Sequence, residues 1–319
     1  MKSVNLSLFV FFFTMSQLFA ANTPSAVEKT LELTTRSGIL KGTLLRIPAE
    51  KPIPVVLIIS GSGPTDKNGN NPMMQNNHLK MVAEDLSKAG IASLRYDKRG
   101  IGENAPAGPA RENDMLFDHL VNDAADWATK LKEDPKFSKV IILGHSEGSL
   151  IGMMAAQKAK ADAFISVAGA GQTADKIIRE QLKGQPKQIS DEALPILEEL
   201  AKGKTVANVN PMFAALFRES VQPYLISWMK YDPQIEIAKL TMPVFLVQGT
   251  TDLQVTEKDA RLLAAANKKS KLVLIEGMNH VLKTSTADPQ KNMATYNNAE
   301  LPLAPALTPK LTGFIASLK

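Results

Sequence analysis

Val140-Ile141-Ile142-Leu143-Gly144-His145-Ser146-Glu147-Gly148 is the stretch whose reading decides the fold. An apolar, mostly β-branched run enters Gly-x-Ser-x-Gly. Ser149-Leu150-Ile151-Gly152-Met153-Met154-Ala155-Ala156 then follows, mostly small and apolar. This pattern predicts a buried strand, a sharp turn and a helix packed close to the sheet. The turn puts Ser146 at the strand's end with its oxygen outward. Its flanking glycines avoid a collision between a Cβ and neighbouring backbone. The serine's peptide also lies near a helix N-terminus, where free N–H groups can face an anion.

Further strands can be read on both sides of this unit. Glu28 to Thr34 roughly alternates polar and apolar, Ser37-Gly38 is a turn, and Ile39 to Ile47 reads as the second arm of an antiparallel hairpin. Val55 to Ile59 is a continuous apolar run, as expected for a strand covered on both faces, and Ile91 to Tyr96 reads as the fourth strand. Ala163 to Ala168, Pro243 to Gly249 and Lys271 to Ile275 repeat the pattern downstream, and helical periodicity fills most of the gaps. Strands alternating with helices imply an α/β fold, a mainly parallel eight-stranded sheet with helices on both faces. From residue 172 to 239 no strand-like run occurs. Ile177, Ile178, Leu182, Leu194, Leu197 and Leu200 recur at helical spacing there, and Phe213, Phe217, Tyr224, Trp228 and Tyr231 cluster behind them. Those aromatic residues either hold a helical insertion together or wall a site beneath it. Lys283 to Pro305 is mostly polar and without clear periodicity, and Pro309 to Leu318 reads as a closing helix.

Composition narrows the class. The chain has 319 residues, 44% hydrophobic and 22% charged, which suits one large globular domain with an insertion. A net charge of +5 with scattered basic residues gives no footprint for nucleic acid. There is no cysteine, which excludes disulfides and thiolate metal sites. The first twenty residues differ from the rest: Lys2, then the wholly apolar Leu8 to Phe13, then small residues at Ala20 and Ala21. That is the pattern of a cleaved secretory signal peptide. Its apolar core is shorter than the roughly 20 residues a membrane span requires.

In a parallel sheet the site lies at the carboxyl ends of the strands. Ser146, Asp252 and His280 all fall there, in that chain order. A serine hydroxyl needs a base to take its proton, and histidine does so near neutral pH. The base in turn needs a carboxylate to fix its tautomer. His78 and His119 read as lying at or within helices, and the His145 ring cannot readily face the adjacent hydroxyl. The Ser60-Gly61-Ser62-Gly63 loop after the third strand is either a surface turn or a backbone that approaches a substrate oxygen. Asp97-Lys98-Arg99-Gly100-Ile101-Gly102 reads as an ion-paired loop supporting it.

Gly144-His145-Ser146-Glu147-Gly148, Gly249-Thr250-Thr251-Asp252, Gly277-Met278-Asn279-His280 and the Ser60–Gly63 loop together resemble the α/β-hydrolase superfamily, over roughly Glu28 to Lys319. Within it the chain looks like exported bacterial esterases or serine-aminopeptidase-like members with a helical cap. The resemblance implies a signal peptide over 1–20, a core over 21–171 and 240–319, and a cap over 172–239. It implies Ser146 as nucleophile, His280 as base and Asp252 as its orienting acid. The oxyanion hole falls on the backbone N–H groups of Glu147 and Ser62, with Ser60-Gly61 standing where the family usually has His-Gly. Phe213, Phe217, Tyr224 and Trp228 are the expected substrate wall. The implied protein is periplasmic or secreted, cleaves small-molecule carboxylic esters through an acyl-enzyme, uses no metal or organic cofactor, and inserts in no membrane after signal cleavage. One alternative is a peptidase removing N-terminal residues, with Glu147 or Glu219 receiving the substrate's amine. The other is a catalytically silent binding protein on the same fold.

Overall fold

The computed structural model describes residues 25–318, so the expected signal peptide lies outside the described residues. An antiparallel hairpin of β1 (Val27–Thr35) and β2 (Gly38–Arg46) opens the sheet. β3 (Ile53–Ile59), β4 (Ala92–Tyr96), β5 (Phe137–His145), β6 (Ala163–Val167), β7 (Val244–Gly249) and β8 (Lys271–Ile275) follow. The spatial order is β1-β2-β4-β3-β5-β6-β7-β8; β2 joins β4 antiparallel, and every pairing from β4 to β8 is parallel. The eight expected strands are all present.

Side chains alternate between two cores, as a strand's period of two requires. Val55, Leu57 and Ile59 of β3 share one core with Val140 and Ile142 of β5, Phe164 of β6 and Leu246 of β7. Val56 and Ile58 share the other with Ile141, Leu143, Ile165 and Phe245. Helices α1 (His78–Lys88), α2 (Phe117–Glu133) and α3 (Glu147–Ala159) divide between the faces. Trp127 of α2 and Ile151 of α3 seal the first core, while Leu79 and Leu86 of α1 seal the second. Both faces of the central strands are therefore dry, which is why they read as unbroken apolar runs.

From β3 the chain first crosses to β4 on one side, then returns to β5 on the other. The connections leaving β3 and β5 therefore diverge at the carboxyl edge and leave a crevice between them, the usual ligand position in such sheets.

Between β6 and β7 the chain forms α4 (Ala174–Lys183), α5 (Lys187–Ala201), α6 (Ala214–Phe217), α7 (Gln222–Met229) and α8 (Pro233–Ala238), and no strand. α9 (Glu257–Ala266), α10 (Pro289–Ala294) and α11 (Leu307–Ala316) complete the chain. Helices α4 to α7 enclose a small core of their own, containing Ile178, Leu182, Leu197, Leu200, Phe213, Phe217 and Leu225. This corrects the expectation that Phe213 and Phe217 wall a substrate pocket. Phe217 is wholly buried and Phe213 nearly so, because a helical layer needs an apolar filling before it can cover anything else. Tyr224, Trp228 and Tyr231 do a different job. Their rings surround Phe117 at 6.3, 6.1 and 5.7 Å, with Trp228 stacked parallel to it. Ser227 Oγ accepts the Phe117 N–H at 2.8 Å, and the Tyr231 hydroxyl donates to Asp118 at 2.6 Å. This cluster docks the helical segment on the first turn of α2.

Phe217→Ala should therefore destabilise the protein by about 3–5 kcal/mol, the usual cost of emptying a buried phenylalanine site. Denaturant unfolding measures this; a loss below about 1 kcal/mol would place Phe217 outside the load of that small core.

Candidate active site

The site begins with the backbone of Ser146. This residue adopts φ 55° and ψ −122° between the end of β5 and the start of α3. A non-glycine residue there is strained, and the surroundings must hold it. The Ser146 N–H donates to the Val167 carbonyl at 3.0 Å, tying the turn to β6. A Cβ on Gly144 would lie 2.1 Å from the Gly148 carbonyl oxygen, and one on Gly148 would lie 2.5 Å from that of Ile59. Neither position accepts a side chain, which is the physical content of the Gly-x-Ser-x-Gly spacing.

The loops after β7 and β8 supply the partners. His280 Nε2 lies 3.1 Å from Ser146 Oγ, and His280 Nδ1 lies 2.9 Å from Asp252 Oδ2. Asp252 is an acceptor, so Nδ1 carries the proton and Nε2 is free to accept the serine's. Asp252 also accepts Gln248 Nε2 at 3.1 Å and the N–H groups of Gln254 and Val255 at 2.9 and 3.0 Å. Burial works against its ionisation, but His280 and these donors outweigh it and hold the carboxyl below the ordinary aspartate range. Ser146 remains partly exposed while His280 and Asp252 are buried, so the hydroxyl is the member of the three presented to a ligand.

Across the crevice, the loop after β3 brings Gly61 against the serine. A Cβ there would stand 3.2 Å from Ser146 Cβ and 3.6 Å from Oγ, so glycine permits the approach. Ser62 follows, exposed, with its carbonyl accepting the Thr65 hydroxyl at 2.8 Å. Glu147 is the first residue of α3, so its N–H has no acceptor within the helix. The expected oxyanion donors thus sit on the two sides of the crevice, Ser62 on the loop after β3 and Glu147 at the start of α3. Tyr224 also reaches the site, its hydroxyl donating to Glu147 Oε1 at 2.6 Å, while Trp228 packs on Phe117. Burial and the facing carboxylate push the Tyr224 hydroxyl well above its ordinary pKa, so it stays a donor.

The other histidines are placed elsewhere. His119 Nδ1 accepts the Leu116 N–H on α2. His78 is buried beside Asn76, and His145 is buried between His78 and His280, ring centroids 4.6 and 4.9 Å away. His145 Nε2 donates to the His280 carbonyl at 2.8 Å and so steadies the catalytic loop from behind. Polar support also comes from a region that shows no periodicity in sequence. Asn279 donates to Thr295 Oγ1 at 2.6 Å, and Asn292 donates to the Thr251 carbonyl at 2.8 Å, clamping the loops that carry His280 and Asp252. These residues sit in and around α10, where Lys283 to Pro305 reads as irregular. Such polar packing leaves no apolar pattern to find, and its detectable signal is the density of Asn and Thr near His280.

This is an α/β-hydrolase fold with an assembled Ser-His-Asp triad. The family model for serine aminopeptidase, S33, matches residues 75–237, and the chain belongs to that family. It is 30% identical over 240 residues to Esterase EstD of Thermotoga maritima, an alignment covering 72% of this chain and 55% of that protein. The chain thus spans about half the length of that curated relative. Among solved structures, it resembles ferulic-acid-bound Est1E from Butyrivibrio proteoclasticus, with TM-score 0.61, 18% identity and coverage of 90% and 98%. It also resembles dipeptidyl peptidase 4 of Porphyromonas gingivalis, with TM-score 0.54, 14% identity and coverage of 92% of this chain and 35% of that one.

Burial pushes the His145 imidazole down to about 3, with His280 adding to the effect, and drives His78 well below its ordinary value. Both are lowered in the folded state, so their contribution is complete above the unfolded value of about 6.5 and is lost as pH falls below it. Each should give a slope of about 1.4 kcal/mol per pH unit. Urea unfolding should show a slope that grows from about 1.4 kcal/mol per pH unit at pH 6.5 toward about 2.7 near pH 5, halved in His145→Gln. A flat profile there would mean the two rings are charged in the native protein.

Proposed function

We propose that this chain is an exported serine hydrolase that cleaves carboxylic esters through an acyl-enzyme on Ser146. The observation that carries the reading is the pair of contacts at His280, 3.1 Å to Ser146 Oγ and 2.9 Å to Asp252. His280 Nε2 takes the hydroxyl proton as Oγ attacks the ester carbonyl, and Asp252 holds the imidazolium that forms. The N–H groups of Glu147 and Ser62 receive the charge that develops on the carbonyl oxygen. His280 then passes its proton to the leaving alcohol and activates a water to release the acid. Likeness to Esterase EstD supports an ester as the substrate. A small-molecule ester is the partner in this reading.

The family's description favours a second reading, removal of N-terminal residues from peptides. That chemistry needs a carboxylate facing the substrate's amine. Glu147 is unsuited, since Lys98 and Tyr224 occupy its carboxylate in a buried site. Glu219 is exposed and accepts the Asn208 N–H at 2.8 Å on the outside of the helical segment.

Aryl esters of graded acyl length, run beside aminoacyl anilides, separate the two readings. Ester cleavage should be faster throughout, and faster anilide cleavage would install the peptidase reading instead. Ser146→Ala and His280→Ala should each remove nearly all turnover while the protein stays folded, and the double variant should be hardly worse than either, because the triad acts as a unit. Substantial turnover by Ser146→Ala would sink the mechanism.

Export rests on Lys2, the apolar Leu8 to Phe13 and the small residues at Ala20 and Ala21. Among the described residues no helix is long and apolar enough to cross a membrane. The mature protein should be recovered from the periplasm or medium with its N-terminus near Ala21 or Asn22, read by intact mass. A retained Met1 on a membrane-bound form would indicate an anchor.

A further inference from the structure

Lys98 lies at the start of the connection that follows β4, two residues beyond Tyr96, and it is almost completely buried. Its ammonium donates to the Gly61 carbonyl and, at 2.9 Å, to Glu147 Oε2, whose side chain is buried as deeply. One acceptor is on Glu147, itself a candidate oxyanion donor, and the other is the carbonyl that precedes the second candidate, Ser62. The Gly61 carbonyl and the Ser62 N–H are one peptide unit. That unit is planar and trans, so its C=O and N–H point in opposite directions. Anchoring the carbonyl on Lys98 therefore fixes the direction of the Ser62 N–H. On the other side, holding the Glu147 carboxylate fixes the first residue of α3, whose own N–H is the second donor. The Tyr224 hydroxyl on the remaining Glu147 oxygen ties α7 to the same point.

We propose that Lys98 is a positioning residue for the oxyanion hole, its ammonium bound at once to the Gly61 carbonyl and the Glu147 carboxylate and so aiming the Ser62 and Glu147 N–H groups. The inference rests on the serine hydrolase reading above. A plain structural explanation would need one contact, a counter-charge for buried Glu147. The second contact, to a glycine carbonyl beside the nucleophile, is what a counter-charge alone leaves unexplained. Polarisation works in the same direction: a cation on the carbonyl of a peptide makes its N–H a stronger donor, and a site closed to water enlarges that effect. Tyr224 extends the arrangement into the helical segment, so its docking on α2 and the alignment of the hole share one hydrogen-bonded cluster.

The test must separate aim from stability. Lys98→Met alone leaves the Glu147 carboxylate buried without its partner and is expected to destabilise the protein severely. The informative variant is Lys98→Met/Glu147→Gln, in which the amide keeps a bond to Tyr224 and no charge is stranded. It should recover most of the lost thermal stability. Its kcat on an activated aryl ester should fall about ten- to hundredfold with KM nearly unchanged, since the donors act chiefly in the transition state. Affinity for an aryl trifluoromethyl ketone, which forms a tetrahedral adduct on the serine, should fall by the same factor. A folded double variant with wild-type kcat and ketone affinity would overturn the proposal, and so would a raised KM at unchanged kcat. Labelling of wild-type Ser146 by a fluorophosphonate, with measurable ester turnover, shows that such a result strikes Lys98 alone. A wild-type protein neither labelled nor active removes the hydrolase reading, and this proposal with it.

Discussion

The left-handed turn at Ser146 is the constraint on which the rest of the structure depends. A serine at φ 55° and ψ −122° carries a cost of about 1–3 kcal/mol, and it persists because neighbours leave the chain no other path. β5 enters the turn from the middle of the sheet with β3 and β6 paired on either side. The N–H of Ser146 is held by Val167, and the carbonyl of Ser146 accepts the Ser149 N–H at 2.9 Å as α3 begins. Any Cβ at position 148 would strike the Ile59 carbonyl, so α3 can start this close to β3 only with glycine there. The strain is thus stored in a strand–turn–helix unit clamped on three sides, and its product is one hydroxyl facing the crevice.

Most polar groups around that hydroxyl are buried, and burial favours pairing them. Asp252 collects four donors, counting His280, which orient its carboxylate as well as its charge. His145 takes the His280 carbonyl. Behind them Asn279, Asn292 and Thr295 bind one another and the Thr251 backbone. The loops that carry the acid and the base are therefore rigid for polar reasons, while the strand ends they leave are rigid for apolar ones. A site built in this manner keeps the geometry of its hydrogen bonds without waiting for a ligand to impose it.

How much of this could be read from sequence follows from the same distinction. β5 and its helix were legible because steric demands write themselves as glycines and dry faces as apolar runs. Lys271 to Ile275 matches the observed β8 at both ends. The Asp97–Gly102 loop reads as an ion-paired support for the glycine loop, and Lys98 on the Gly61 carbonyl is that support. Phe217 is ambiguous in sequence, since an aromatic residue looks the same there whether it fills a helical layer or faces a ligand. α10 leaves no such trace, because Pro289–Ala294 is short and its useful contacts are made by Asn292, a residue without periodic signature.

The helical segment between β6 and β7 joins these lines of argument. Its aromatic residues are spent on cohesion: Phe213 and Phe217 on its own core, Trp228 and Tyr231 on Phe117 and Asp118. Tyr224 is the side chain that crosses from this cohesion to the crevice, through Glu147. Acidic groups nearby are engaged in the same way, Asp118 by Tyr231, Glu147 by Lys98 and Tyr224, Glu219 by the Asn208 amide. Of these, Asp118 and Glu147 belong to α2 and α3, so their bonds to Tyr231 and Tyr224 fasten the segment to the core at two points, one of them beside Ser146.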